Sequence, residues 1–176
     1  MRALGPGSVS SFLKIILDVA YYVLLVGLGG LVIVSIAGVL LSFNPDFLTK
    51  LSVSGNVGKV TAKGPVLAVG LIYADLYVGC LLAIIGRLRR VFATLTAGDP
   101  FHTENIRRLR LIGFVLAGME IARHLFQAAL SELGANRNEA DGGISITAWF
   151  AVLVIFVLAE VFREGARLRN EAELTI

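Results

Sequence analysis

The chain has 176 residues, of which 56% are hydrophobic and only 16% charged, and its mean hydropathy is +0.80. Soluble domains carry about 25% charged residues, so this composition excludes an ordinary soluble domain. The net charge of +3 and the pI near 9.3 favour membrane topology and contact with anionic lipid over nucleic-acid binding. Cys80 is the only cysteine, which excludes a disulfide within the chain.

Apolar runs long enough to cross a bilayer make up most of the chain. We therefore predict an all-α fold, in which residues 1–176 form a single membrane domain built as an integral membrane four-helix bundle. The four predicted spans cover about residues 12–43, 66–86, 111–130 and 144–161.

The first span contains Gly27, Gly29 and Gly30, which would allow a second helix to approach closely. The segment that follows it, residues 44–65, breaks the apolar pattern. Its hydrophobic residues flank Gly55-Asn56, which predicts a small hairpin-like loop on the outer side of the membrane.

Polar residues at membrane depth mark the second and third spans. Asp75 lies near the centre of the second span, and Glu120, Arg123, His124 and Gln127 fall on one face of the third. Charged residues within a span usually face the bundle interior or a cavity.

Three interpretations of this intramembrane polar cluster stay open. The first is a structural ion pair between Asp75 and Arg123, the second is a proton or ion path, and the third is a metal or haem site that includes Glu120 and His124. Because Arg123 would repel a cation, we expect neither a bound metal nor a cofactor.

A charged segment, residues 87–110, separates the second and third spans. The helix of the second span is expected to enter this segment and to stop at Gly98. Thr103 is the predicted N-cap of the next helix, and Glu104 suits its first turn. His102 is expected to be a solvated loop residue or a capping group. The segment contains six arginines: Arg87, Arg89, Arg90, Arg107, Arg108 and Arg110.

The distribution of basic residues predicts the topology. Arginine-rich short loops stay on the cytoplasmic side, which places residues 87–110 and both termini there. In this orientation, eleven of the sixteen Lys and Arg residues are cytoplasmic and four are outside. The cytoplasmic tail, residues 162–176, carries an i,i+4 pair of Arg167 with Glu171 and is expected to be a solvated helix.

Two stretches carry a family resemblance: GDPFHTENIRRLRLIG at residues 98–113 and VFREGARLRNEAELTI at residues 161–176. The chain resembles a domain-of-unknown-function family of four-span bacterial inner-membrane proteins, often encoded beside a small Cro/C1-type helix-turn-helix regulator. The resemblance implies a regulatory pairing and brings no catalytic residues. Its recurring positions here are Gly98, Pro100, Phe101, Asn105, Leu109, Gly113, Gly165 and Leu168.

Together these observations predict a non-enzymatic membrane module that docks a cytoplasmic partner. Its expected partners are the lipid bilayer with its anionic headgroups and a small helix-turn-helix regulator, and self-association into a homo-oligomer is left open. Direct nucleic-acid binding is not expected, because no base-reading element is present. The alternative is a small transporter or ion- or proton-conducting protein that uses the polar stripe of the third span. The predicted interaction surface comprises Arg87, Arg89, Arg90, Asp99, Phe101, Asn105, Arg107, Arg108, Arg110, Arg163 and Arg167.

Overall fold

The computed structural model describes residues 9–42, 64–99, 101–133 and 145–174. The described residues form four helices and no strand, which confirms the all-α prediction. The predicted hairpin lies outside the described residues, apart from Gly64 and Pro65, which already belong to the second helix. The helices are α1 (Val9–Ser42), α2 (Gly64–Thr96), α3 (Thr103–Glu132) and α4 (Ile146–Glu173).

Three of the described helices are long and apolar enough to cross a membrane: Phe12–Ser42, Pro65–Thr96 and Ile146–Ala172. Their mean hydropathies are 2.7, 2.1 and 2.1. Helix α3 is 30 residues long, but the polar residues in its middle reduce its apolar character, and it does not belong to this group. Its role as a span and the orientation of the termini therefore stay predictions.

The chain divides into two compact units. The unit that contains the arginine-rich segment comprises Met1–Leu25, Cys80–Glu120 and Ser145–Ile176, and we call it the charged unit. The other comprises Val26–Gly79 and Ile121–Ile144, and we call it the apolar unit. Helices α1, α2 and α3 each pass from one unit to the other.

The charged unit has a small core in which three helices meet. Val91 of α2, Leu109 and Ile112 of α3, and Ala159 of α4 are all at most 3% exposed. Gly113 lets α4 approach α3, because a Cβ atom at this position would lie 3.0 Å from Cε2 of Phe156. This core fixes α2, α3 and α4 at the end of the helices where the arginines lie.

In the apolar unit, the close approach of α1 to α2 occurs at Gly38. A Cβ atom there would lie 2.6 Å from Cδ1 of Leu71, so the leucine side chain occupies the space that glycine leaves. At Gly27, Gly29 and Gly30, which would allow such an approach, nothing in the described chain lies within 4 Å of a Cβ atom. Small residues allow close contact, but a facing side chain must be present to use it.

Candidate functional site

The turn between α2 and α3 is set by Gly98, as predicted. Gly98 has a φ of +86°, which favours glycine because other residues suffer a Cβ clash there. Its backbone N–H donates to the carbonyl of Leu95 at 3.1 Å, and that of Asp99 donates to the carbonyl of Thr94 at 3.0 Å. These two bonds form a Schellman motif that satisfies the last carbonyls of α2 and reverses the chain.

The N-cap of α3 is His102, and the prediction of Thr103 was one residue too late. Helix α3 begins at Thr103, and Nδ1 of His102 accepts a hydrogen bond from the backbone N–H of Glu104 at 3.2 Å. The carbonyl of His102 accepts from the N–H of Asn105 at 2.8 Å. An acceptor nitrogen can therefore do here what a Thr hydroxyl does in most caps. Glu104 lies in the first turn, as predicted.

Asn105 is the centre of the α2–α3 contact and is fully buried, at 0% exposure. Its amide Nδ2 donates to Oγ1 of Thr94 at 2.6 Å, and its Oδ1 accepts from the guanidinium of Arg108 at 3.0 Å. The same Arg108 nitrogen donates to the carbonyl of Arg90 at 3.3 Å. A buried amide with partners on both atoms holds the two helices in one register.

The C-terminal part of α4 packs against the α2–α3 turn. The ring of Phe101 contacts Phe162, with centroids 5.8 Å apart, and lies over Gly165. A Cβ atom at Gly165 would lie 2.6 Å from Cδ1 of Phe101, so only glycine leaves room for the ring. Next to this contact, Arg169 forms an ion pair with Asp99. Residues of the arginine-rich segment and of the tail, distant in sequence, thus form one structure.

The arginines of this region fall into two groups. In the first group, Arg110 and Arg163 pair with Glu160, Arg167 pairs with Glu164 and Glu171, and Arg89 and Arg169 pair with acids far away in sequence. The Arg167–Glu171 pair was predicted and is confirmed, at 3.7 Å. Within the described part of the chain, the second group has no ion pair: Arg87, Arg90, Arg107 and Arg108.

Asp18 of α1 is a site residue that the sequence analysis missed. It forms an ion pair with Arg89, whose guanidinium also lies 4.4 Å from the ring centroid of Tyr21 and 5.2 Å from that of Tyr22. A carboxylate and two aromatic rings together stabilise a partly buried arginine. The available signal was that Asp18 is the only acid of α1 and lies near the end of the helix that is predicted to be cytoplasmic, as the arginines are.

The predicted polar stripe on α3 begins in the charged unit. Glu120, its first member, is 6% exposed, and its Oε1 accepts a hydrogen bond from the backbone N–H of Ser145 at 3.3 Å. Ser145 is the N-cap of α4. A carboxylate at a helix start satisfies free N–H groups and the helix dipole. Helix α4 therefore begins beside Glu120, twelve residues before α3 ends, a contact that the predicted span of about residues 144–161 did not include.

The other members of the stripe belong to the apolar unit. Arg123, His124 and Gln127 each have an interaction partner in the structure. The predicted ion pair between Asp75 and Arg123 is not observed at Oδ1 of Asp75. This carboxylate oxygen is buried and has no hydrogen-bond partner among the described residues. Oγ of Ser35 is also buried and has no hydrogen-bond partner among the described residues. In the described part of the chain, no group of three His, Cys, Asp or Glu residues is placed to hold a metal ion.

A known protein family matches most of the chain. Residues 18–176 match the model of the family described as protein of unknown function, DUF2975. The chain belongs to the DUF2975 family. No curated protein and no solved structure matches it. It is thus a member of this family with three described helices that are long and apolar enough to cross a membrane.

The structure gives a physical reason for most positions that the resemblance to this family marked. Phe101, Asn105 and Leu109 are packed or buried in the α2–α3–α4 contact. Gly98 makes the turn, and Gly113 and Gly165 leave room for aromatic rings. Leu168 is 54% exposed, and Pro100 lies outside the described residues. These positions therefore build one local structure, which we call the junction: the α2–α3 turn, the first turns of α3 and the part of α4 from Phe162 to Arg169.

Proposed function

We propose that this DUF2975 protein is a non-enzymatic module of the bacterial cytoplasmic membrane, whose junction docks a cytoplasmic partner protein. The partner that the family resemblance suggests is a small helix-turn-helix DNA-binding regulator. Holding such a regulator at the membrane would keep it away from the chromosome, so the module would control the amount of free regulator.

The observation that carries this proposal is the packing of the tail onto the turn. Phe101 lies against Gly165, and Asp99 pairs with Arg169, so a charged loop and a charged tail form one rigid surface. A rigid surface loses little conformational entropy when it binds a partner. Arginines that only determine the membrane topology would need neither a fully buried asparagine nor a glycine beneath an aromatic ring.

A groove next to the junction suggests how the partner would be held. It has a volume of about 460 Å³ and lies along α3 beside Arg163 of α4. Apolar residues and arginines line it together: Ile106, Leu111 and Phe114 with Arg107, Arg110 and Arg163. Such a lining suits a partner segment with an apolar anchor flanked by acidic side chains, because the arginines would pair with the acids.

Photocrosslinking in living cells tests the proposal. A photoreactive phenylalanine analogue replaces Thr103, which is exposed and lines the groove. We expect a discrete adduct after irradiation, identified by mass spectrometry as a small DNA-binding regulator. The matched control places the same analogue at Val26, which is 77% exposed on α1 and should crosslink only to lipid.

Transcription provides the second measurement for the same proposal. Deleting the gene should change expression of its own operon at least severalfold, because the regulator would be released. No protein adduct at Thr103, together with unchanged operon expression, would contradict the docking function.

A second candidate function, ion or proton conduction, has one specific observation in its favour. Oδ1 of Asp75 and Oγ of Ser35 are buried without hydrogen-bond partners in the described part of the apolar unit. Buried polar atoms of this kind are costly unless water or an ion satisfies them. Proton flux into liposomes that contain the purified protein would distinguish this function from docking.

A further inference from the structure

A second cavity lies in the charged unit, on the α2–α3 side of the arginine-rich segment. It has a volume of about 420 Å³ and is lined by the four arginines without ion pairs, Arg87, Arg90, Arg107 and Arg108. Tyr21 of α1 and Glu104 of α3 complete its polar lining. Every described arginine of the charged unit that lacks a carboxylate partner thus faces the same cavity.

Two of the four guanidinium groups in this cavity, those of Arg87 and Arg108, are held in place without being neutralised. Arg87 donates to the carbonyl of Ala83 at 2.9 Å, and Arg108 donates to Asn105 and to the carbonyl of Arg90. These acceptors are uncharged, so they fix position and leave the positive charge in place. Preorganised arginines lose less side-chain entropy when they bind an anion.

The charge balance of the lining is strongly positive. Glu104 is the only acid in it, so four arginines and one glutamate leave a formal charge of +3. Within the described chain, Glu104 forms no ion pair with any of these arginines. Like charges held this close repel one another, and an anion that enters the cavity removes that repulsion.

The lining changes from charged to apolar along the helices. Leu82 and Leu111 also line the cavity, and each lies farther from the α2–α3 turn than the cavity arginines of its own helix. On α2, this direction leads into the apolar stretch that is able to cross a membrane. The cavity therefore combines a cationic end with an apolar end, which matches the headgroup and the first acyl carbons of a phospholipid.

We propose that this arginine cavity binds a phosphate ester, supplied by the headgroup of an anionic membrane phospholipid. Arginine forms paired hydrogen bonds with phosphate oxygens, which makes several converging arginines selective for this group. The inference deepens the proposed function by giving the same face a lipid ligand. It rests on the membrane placement of that face and not on the partner protein.

The test is a lipid titration of the delipidated full-length protein, followed by native mass spectrometry. Wild-type protein should bind phosphatidylglycerol roughly tenfold or more tightly than phosphatidylcholine. The double variant Arg90→Gln, Arg107→Gln should lose this preference. Both side chains are exposed and make no hydrogen bond within the described chain, so helicity by circular dichroism should stay unchanged.

A matched control separates a site from general charge. The double variant Arg163→Gln, Arg167→Gln also removes two arginines from the charged unit, but both of them already have glutamate partners. It should keep the lipid preference. Equal loss in both double variants, or no loss in either, would overturn the cavity assignment.

Soluble phosphate esters provide the remaining arm of the experiment. Glycerol 1-phosphate should displace phosphatidylglycerol only at concentrations far above that of the lipid. Displacement at equal concentrations would overturn the lipid assignment in favour of a soluble phosphate ester. Because no partner protein is present, this result is independent of the crosslinking result at Thr103.

Discussion

Arg89 and Arg90 are adjacent on α2, yet they have different environments. Arg89 is partly buried between Asp18 and the two tyrosines of α1, whereas Arg90 is exposed at a cavity with no carboxylate partner in the described chain. The same contrast holds for all the described arginines of the charged unit. Five of them form ion pairs with acids, whereas the other four line the arginine cavity and have no ion pair in the described chain.

The charge of the arginine-rich segment therefore has two uses. One set of arginines joins helices by ion pairs and so belongs to the fold. The other set keeps an uncompensated charge, which costs stability in the empty protein and is useful only when an anion binds. Removing an arginine should therefore affect stability in one set and ligand binding in the other.

The largest expected effect comes from Asn105, the buried amide that joins α2 to α3 and binds Arg108. Asn105→Ala leaves a buried cavity and removes the hydrogen bonds to Thr94 and Arg108. We expect a loss of about 2–4 kcal/mol in the free energy of unfolding. Thermal unfolding in a mild detergent measures it. Asn170→Ala, at an exposed position of α4, should stay within about 0.5 kcal/mol of wild type. A harmless Asn105→Ala would show that the junction is not held by this amide.

The neighbouring arginines give the next largest effect. Arg89→Gln leaves Asp18, about a third exposed, without its cationic partner, and we expect a loss of about 1–2 kcal/mol. Arg90→Gln should change stability by less than about 0.5 kcal/mol. Both variants lose one charge from adjacent positions, so total charge cannot explain a difference between them. Equal melting temperatures for the two would remove the distinction between structural and ligand-binding arginines.

Much of the fold followed from the sequence because apolar periodicity and turn chemistry are local. The four helices, the stop at Gly98 and the acidic first turn of α3 were all predicted correctly. The start of α4 beside Glu120 was not predicted. It depends on which carboxylate meets the free N–H groups of a helix start, and that is a contact between residues far apart in sequence.

The candidate site was predicted only as a set of residues. Arg87, Arg89 and Arg90 are equivalent in the sequence, and nothing local distinguishes the one that pairs with Asp18. The Asp75–Arg123 bond was inferred from equal depth along two helices. Depth does not determine which faces meet, and Oδ1 of Asp75 has no partner among the described residues.

Both proposals place the junction and the arginine cavity on the cytoplasmic side of the membrane. Single cysteines in a Cys80→Ser background test it, with labelling of intact cells by a membrane-impermeant maleimide. Ala97 is exposed in the α2–α3 turn, so Ala97→Cys changes the surface little. We predict that Ala97→Cys is labelled only after the cells are lysed, and that Ser54→Cys, in the predicted outer loop, is labelled in intact cells. Labelling of Ala97→Cys but not of Ser54→Cys in intact cells would contradict both proposals. The junction and the arginine cavity would then lie on the opposite side of the membrane from the proposed regulator and the inner lipid layer.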